Sequence, residues 1–158
     1  MSGRGAKEGQ ARVFTDAEVA DVLASIEKHR HSVRNKALFL LTLRAGLRIG
    51  TAAKLELSDI LNTDGSLKDI VVARRSIMKG KKTSTLYLTH PELRESLMEW
   101  VAERPKLATC DNVFVSQQGR EFTPNGLSKL MWKVYAKAGL EGFSSHSNRR
   151  TFATQVLK

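Results

Sequence analysis

The sequence predicts an α+β domain that is mostly helical and carries a small three-stranded antiparallel sheet. Two patterns support this fold class: apolar residues recur at helical spacing over most of the chain, and three short β-prone runs lie near its middle. The 158 residues, 41% hydrophobic and 27% charged, suffice for one soluble globular domain. Residues 1–12 are predicted to form a flexible tail, and residues 13–158 the folded domain.

The first two helices are predicted by capping signals and apolar spacing. Thr15 and Glu18 have the spacing of a capping box, which predicts a helix over residues 16–28. Ser32 is predicted to cap a second helix. That helix is apolar on most sides, so we expect it to be buried in the middle of the domain.

Arg48 follows the predicted end of this buried helix at Gly46 and lies between two apolar residues. A short helix over residues 51–57 and a turn at residues 58–59 are predicted to follow it. An arginine in this setting is either directed at a ligand or satisfied by an interior ion pair or by reaching out to water. The segment alone favours neither interpretation.

The predicted sheet has a strongly basic connection. Its strands are residues 69–73, 76–78 and 84–88. Between Arg74 and Lys82 there are five basic residues and no acidic one, which suits contact with a phosphate backbone. The alternative is that lysines here protect an edge strand from aggregation. Tyr87 lies in the last strand and is expected to be structural. The candidate DNA-binding residues of this segment are Arg74, Arg75, Lys81 and Lys82.

Two further long helices and a short strand are predicted in the second half. One helix covers residues 90–104, with His90 expected only near its N-terminal cap. A strand over residues 112–116 follows, and then a helix over residues 123–138. Tyr135 falls on the apolar stripe of that last helix and is therefore expected in the core.

The stretch from Ser145 to Thr154 carries the residues best suited to chemistry. If it is helical, His146 and Arg149 lie three residues apart on one face. Histidine exchanges a proton near neutral pH, and arginine offers a rigid fork of donors that matches a phosphate. Arg150 points elsewhere. The alternative is a basic surface helix with a chance histidine. Residues expected to anchor the helix in the core are Phe152, Ala153 and Val156.

The net charge of +10 is large for one small domain and predicts a polyanionic partner, most simply nucleic acid. The alternative is a basic surface that only resists aggregation. No apolar run is long enough for a membrane span, and residues 1–10 lack the apolar segment of a secretory signal. A single cysteine, Cys110, suits a reducing cytosol.

Three separated motifs, taken in order, resemble the catalytic domain of the tyrosine recombinases, the phage integrase family. They are Ala45-Gly46-Leu47-Arg48-Ile49, Lys79-Gly80-Lys81-Lys82, and the stretch from His146 to Thr154. The resemblance implies that Arg48 and Arg149 bind the scissile phosphate. It also implies that Lys79 is the general acid for the leaving 5′ oxygen and that His146 helps to move protons there.

The resemblance further implies site-specific recombination of double-stranded DNA through a 3′-phosphotyrosyl intermediate, without a metal or cofactor. The family works as DNA-bound tetramers, whereas this chain alone is expected to be a monomer. A cytoplasmic, nucleoid-associated protein encoded by a bacterium or a phage is expected.

The chain departs from the family pattern at several points. Thr51 stands where the family usually has a carboxylate, and Arg150 where a histidine is common. We expect no N-terminal core-binding domain before the motifs, and we expect the nucleophilic tyrosine to lie beyond Lys158. We therefore expect this chain to bind DNA without cleaving it. Two alternatives stay open: a non-catalytic relative that acts as a regulator or accessory factor, and an unrelated basic nucleic-acid-binding module.

Overall fold

The computed structural model describes residues 12–73 and 84–156, and within them it confirms a mostly helical α+β fold. The elements are α1 (Asp16–Glu27), α2 (Ser32–Arg44), α3 (Ile49–Lys54), α4 (Leu57–Ile60), β1 (Ile70–Ala73), β2 (Ser84–Tyr87), α5 (Pro91–Glu103), α6 (Pro124–Lys137) and α7 (Ser145–Val156). No helix in these ranges combines the length and apolar character that crossing a bilayer requires.

Helix α2 is the centre of the fold, as its sequence predicts. Its residues from Ala37 to Leu43 are all buried, and the helix packs against α1, α3, α5 and α7. Phe39 of this helix meets the ring of Phe14 edge-on, with the ring centroids 5.7 Å apart. Phe14 in turn stacks on Phe143, which closes the core near the start of α7.

Strands β1 and β2 pair directly in an antiparallel two-stranded sheet, in the register Ile70↔Tyr87 through Ala73↔Ser84. The third predicted strand, residues 76–78, lies outside the described residues. So does the basic connection that was predicted to follow it.

Four local predictions are wrong. The short helix predicted over residues 51–57 is α3, which begins earlier and ends at Lys54, because Leu55 and Glu56 have extended backbones. The N-cap of α2 is His31, in the left-handed region at φ 61°, rather than Ser32. Residues 58–59 belong to helix α4 rather than to a turn, because Asp59 accepts a hydrogen bond from the Glu56 amide and completes a capping box. The predicted strand over residues 112–116 is reduced to isolated bridges, since its two ends pair with different segments.

Helix α7 is held by buried polar contacts rather than by an apolar face. Ser147, Asn148 and Thr151 are all fully buried. The Tyr135 hydroxyl of α6 donates to Asn148 Oδ1. Asn148 Nδ2 donates to Thr42 Oγ1 of α2, so one side chain links three helices. Thr151 Oγ1 accepts from the Phe14 amide at 2.8 Å. The predicted anchor Ala153 is exposed, and Phe152 is only half-buried.

We expect Tyr135→Phe to lower the free energy of unfolding by about 1–3 kcal/mol, because it leaves the buried Asn148 Oδ1 without its donor. Tyr87→Phe removes the same hydroxyl from a side chain that is 58% exposed, and should cost almost nothing. Urea denaturation followed by circular dichroism measures both. Equal losses in the two variants would show that this hydrogen bond does not hold α7.

Candidate functional site

A cavity of about 600 Å³ opens where the α2–α3 loop, strand β2, the start of α5 and helix α7 meet. Among the described residues, its lining contains three arginines and a histidine but no aspartate or glutamate. The lining residues are Arg44, Ala45, Gly46, Leu47, Arg48, Thr51, Thr85, Leu86, Tyr87, Thr89, His90, Arg149 and Phe152.

Arg48 lies on this cavity because the chain turns just before it. Gly46 adopts φ +70°, a conformation that costs glycine little, and Leu47 is buried against the core. Arg48 then takes the N-cap position of α3 with an extended backbone, and its side chain is exposed. No carboxylate of residues 12–73 or 84–156 forms an ion pair with it. The structure therefore shows no interior ion pair for Arg48 within these ranges, and its exposed side chain is open both to water and to a ligand.

Arg149 reaches the same cavity from helix α7. Its Nη1 donates a hydrogen bond to the Gly46 carbonyl, which fixes α7 to the loop that carries Arg48. Partial burial lowers the pKa of Arg149, and the neighbouring charge of Arg48 lowers it further. The two guanidinium groups are thus close enough to repel each other. A bound anion would relieve that repulsion.

The other predicted site residues are placed differently. His146 lies one turn before Arg149 on α7 and is exposed, but it is not part of the cavity lining. Arg150 is also exposed and outside the lining. Lys79 lies outside the described residues, together with the predicted DNA-binding side chains Arg74, Arg75, Lys81 and Lys82.

Three further lining residues, Arg44, Tyr87 and His90, were not among the predicted site residues. His90 is the N-cap of α5, as predicted. Arg44 Nε and His90 Nδ1 are buried and lack a hydrogen-bond partner. Burial lowers the pKa of His90, and the charge of Arg44 lowers it further, so these two side chains are neighbours. The alternation of β2 was a usable signal for Tyr87, because the residue before it faces the core. No local pattern marked Arg44 or His90.

Thr51 is buried and also lines the cavity. In the resembling family a carboxylate usually stands at this position. A threonine hydroxyl can accept a hydrogen bond, but it carries no charge with which to hold Arg48.

The chemistry that this cavity suits is binding of an oxyanion. Guanidinium groups present forks of donors that match the oxygens of a phosphate, and the partial burial of Arg149 strengthens its interaction with a charge. Among the described residues, no three His, Cys, Asp or Glu side chains are grouped as metal ligands.

Comparisons with known proteins agree on one family. A model of the phage integrase family matches residues 12–158. Tyrosine recombinase XerC of Actinobacillus succinogenes is 30% identical over 80% of this chain and 41% of its own length. Transposase A from transposon Tn554 of Staphylococcus aureus is 27% identical over 96% of this chain and 43% of its own length. This chain therefore spans less than half the length of either relative.

A solved structure shows the same fold at low identity. It is the Tn1549 transposon integrase in complex with transposon right end DNA, which superposes with a TM-score of 0.74 at 17% identity. The match covers 92% of this chain and 53% of that integrase.

We expect Gly46→Ala to be much more damaging than Gly139→Ala, although both glycines have a positive φ, +70° and +78°. Alanine in this conformation costs about 1–2 kcal/mol at either site. At Gly46 the new Cβ would also lie 2.4 Å from Phe152 of α7, whereas nothing lies within 4 Å at Gly139. This clash should add about 1–3 kcal/mol. Urea denaturation measures the costs, and equal losses would contradict the close packing of α7 on this loop.

Proposed function

Because the chain belongs to the phage integrase family, we propose that it supplies the phosphate-binding part of a site-specific DNA recombinase. The observation that carries the proposal is the meeting of Arg48 and Arg149 on one cavity that has no acidic side chain in its lining. The two arginines come from segments about a hundred residues apart, and the Gly46 carbonyl ties one to the loop of the other.

In the proposed reaction, Arg48 and Arg149 bind the non-bridging oxygens of the scissile phosphate and stabilise the charge that develops on them. A tyrosine oxygen of the parent protein forms the new bond to phosphorus, and the bond from phosphorus to the 5′ oxygen breaks. Lys79 gives a proton to that leaving oxygen, and His146 assists proton transfer. Removal of one arginine should raise the barrier by about 2.7–4 kcal/mol, by analogy with oxyanion holes.

The proposed partner is double-stranded DNA. The net charge of +10 supports it, as does the likeness to an integrase solved with transposon DNA. Arg150 and the basic residues between Arg74 and Lys82 are proposed to contact the DNA backbone. We propose that the parent protein acts as a tetramer on DNA at the nucleoid, and that this chain is monomeric by itself.

The second candidate is a non-catalytic DNA-binding relative that acts as a regulator or accessory factor. One observation favours it. Thr51 replaces the carboxylate that usually supports the first arginine, and Arg48 has no acidic partner among the described residues. An arginine without this support is less fixed in position, and positioning is most of what phosphoryl transfer requires.

Arg48→Gln should weaken duplex DNA binding and reduce the slope of log affinity against log salt by about 0.9, the value for one phosphate contact. Arg149→Gln should do the same, whereas Arg149→Lys should keep most of the slope because it keeps the charge. Fluorescence anisotropy across a salt series measures this. The matched control is Lys106→Gln, which removes an exposed charge outside the cavity. If Lys106→Gln lowers the slope as much as Arg48→Gln does, the cavity is not the DNA site.

Covalent chemistry separates the two candidates. In the full-length parent protein, an active recombinase should form a protein–DNA adduct that survives denaturation, and Arg48→Gln should reduce its rate about 100- to 1,000-fold. Lys106→Gln, which lies outside the cavity, should leave the adduct unchanged. A parent protein that binds DNA but yields no adduct would establish the non-catalytic alternative.

A further inference from the structure

A second basic cavity, of about 230 Å³, lies at the other end of helix α2. We call it the α2 N-terminal cavity. The end of α1, the start of α2 and one face of α6 enclose it. Its lining residues are Ser25, Ile26, His29, Arg30, His31, Arg34, Asn35, Leu130, Lys133, Val134 and Lys137. Since α2 has 13 residues, the α2 N-terminal cavity lies about 20 Å along that helix from the cavity that holds Arg48.

Cationic side chains dominate this cavity. Of the eleven lining residues in the described part of the chain, six are lysine, arginine or histidine and none is acidic. Burial lowers the pKa of His31, and the charges of Arg34, Arg30 and Lys137 lower it further, in that order. These groups therefore face His31 from α2, from the α1–α2 connection and from α6. Opposing polarity comes from neutral oxygens such as the Ser25 carbonyl at the carboxyl end of α1, which lies 2.7 Å from His29 Nδ1.

Arg34 is the feature that most needs an anion. Its side chain is nearly inaccessible, with 5% of the residue exposed. Its Nε donates to Asn35 Oδ1 at 3.1 Å, and its Nη1 makes only a long 3.4 Å contact with the Val115 carbonyl. The guanidinium also lies over the ring of Phe122. No carboxylate in the described part of the chain pairs with it.

Burial lowers the pKa of Arg34 to about 10. The group is still a cation at neutral pH, so a buried positive charge is held there without a paired carboxylate among the described residues, although Glu103 lines an adjoining cavity that Arg34 also lines. Such a charge is costly unless an anion compensates it. The first turn of α2 does not help, since it contains no acidic residue and His31 makes no side-chain cap.

We propose that the α2 N-terminal cavity is a second anion site that binds a phosphoryl group, either free or within a nucleic-acid backbone. Arg34 supplies a buried positive charge at the cavity wall. Lys133 and Lys137 supply flexible charges from α6, where both are exposed. At about 230 Å³ the cavity is smaller than the roughly 300 Å³ at which pockets for small organic ligands begin. It therefore suits a compact anion rather than a whole nucleotide.

The site is separate from the one proposed for the scissile phosphate. It shares no lining residue with the cavity that holds Arg48 and Arg149. Loss of anion binding here would leave the recombinase proposal untouched, and the reverse also holds.

The first test is a titration of the chain with inorganic phosphate, monitored by two-dimensional amide NMR. The reference is a titration with sodium chloride to the same ionic strength. Saturable shifts are expected at residues 29–35 and 133–137. The double variant Lys133→Gln/Lys137→Gln should bind phosphate at least tenfold more weakly, and it leaves the buried Arg34 in place. The matched control combines Lys106→Gln with Lys129→Gln, which removes two exposed charges outside the cavity and should leave the titration unchanged.

The second test uses duplex DNA and the same two double variants. If the ligand is a backbone phosphate, the pair at positions 133 and 137 should lower the salt slope by about 0.9 relative to the control pair. Phosphate binding with an unchanged slope would identify a free phosphoryl ligand. The proposal is overturned if the NMR shifts match those in chloride and the slope is unchanged. It is equally overturned if the two double variants behave alike in both tests.

Discussion

The hydrogen bond from Asn148 to Thr42 is the contact on which the placement of α7 depends. It joins that helix to the most buried helix of the domain, and the Tyr135 hydroxyl completes the link to α6. A helix with an apolar stripe can slide or rotate slightly at small cost. A helix held by fully buried amide and hydroxyl groups cannot, because any shift leaves a polar atom unpaired away from water. The polar face therefore sets the rotation of α7 about its own axis and its position along that axis relative to α2 and α6.

This fixed orientation lets one helix and one loop present two like charges side by side. Burial lowers the pKa of Arg149 and the charge of Arg48 lowers it further, so the two like charges disfavour each other. The scaffold maintains this unfavourable arrangement before any ligand arrives. Donors that are already in place need no reorganisation when charge develops on a bound phosphate, and this is the usual source of electrostatic catalysis. The packing of α2, α6 and α7 thus offsets the cost of holding two like charges close together in the cavity.

The sequence predicted those elements whose stabilisation is local or strongly periodic. The capping box of α1, the buried apolar α2 and the long helix α6 all lie where they were expected. Prediction from the sequence failed for segments that are stabilised by residues far away along the chain. Asn112 gives its amide hydrogen to the Ala53 carbonyl, and Trp100 donates to Val113, so segment 112–116 is held without a strand ladder. The buried polar face of α7 has no apolar period to detect.

The residues of the candidate site show the same difference between local and distant determinants. Arg48 and Arg149 were recognisable because they stand in family motifs with their own local spacing. Arg44 and His90 were not, since their shared position depends on how α2 packs against the start of α5, and no short window of sequence contains that information.

The partner of Arg149 is a main-chain carbonyl, an atom that every amino acid carries. No single codon change can delete it. Substitutions that disturb this bond must therefore act through residues that set the local backbone, Gly46 and the Phe152 ring beside it. The carbonyl oxygen itself is unchanged by any substitution. A survey of natural variants would then register a packing requirement at a position whose role is to orient a cation.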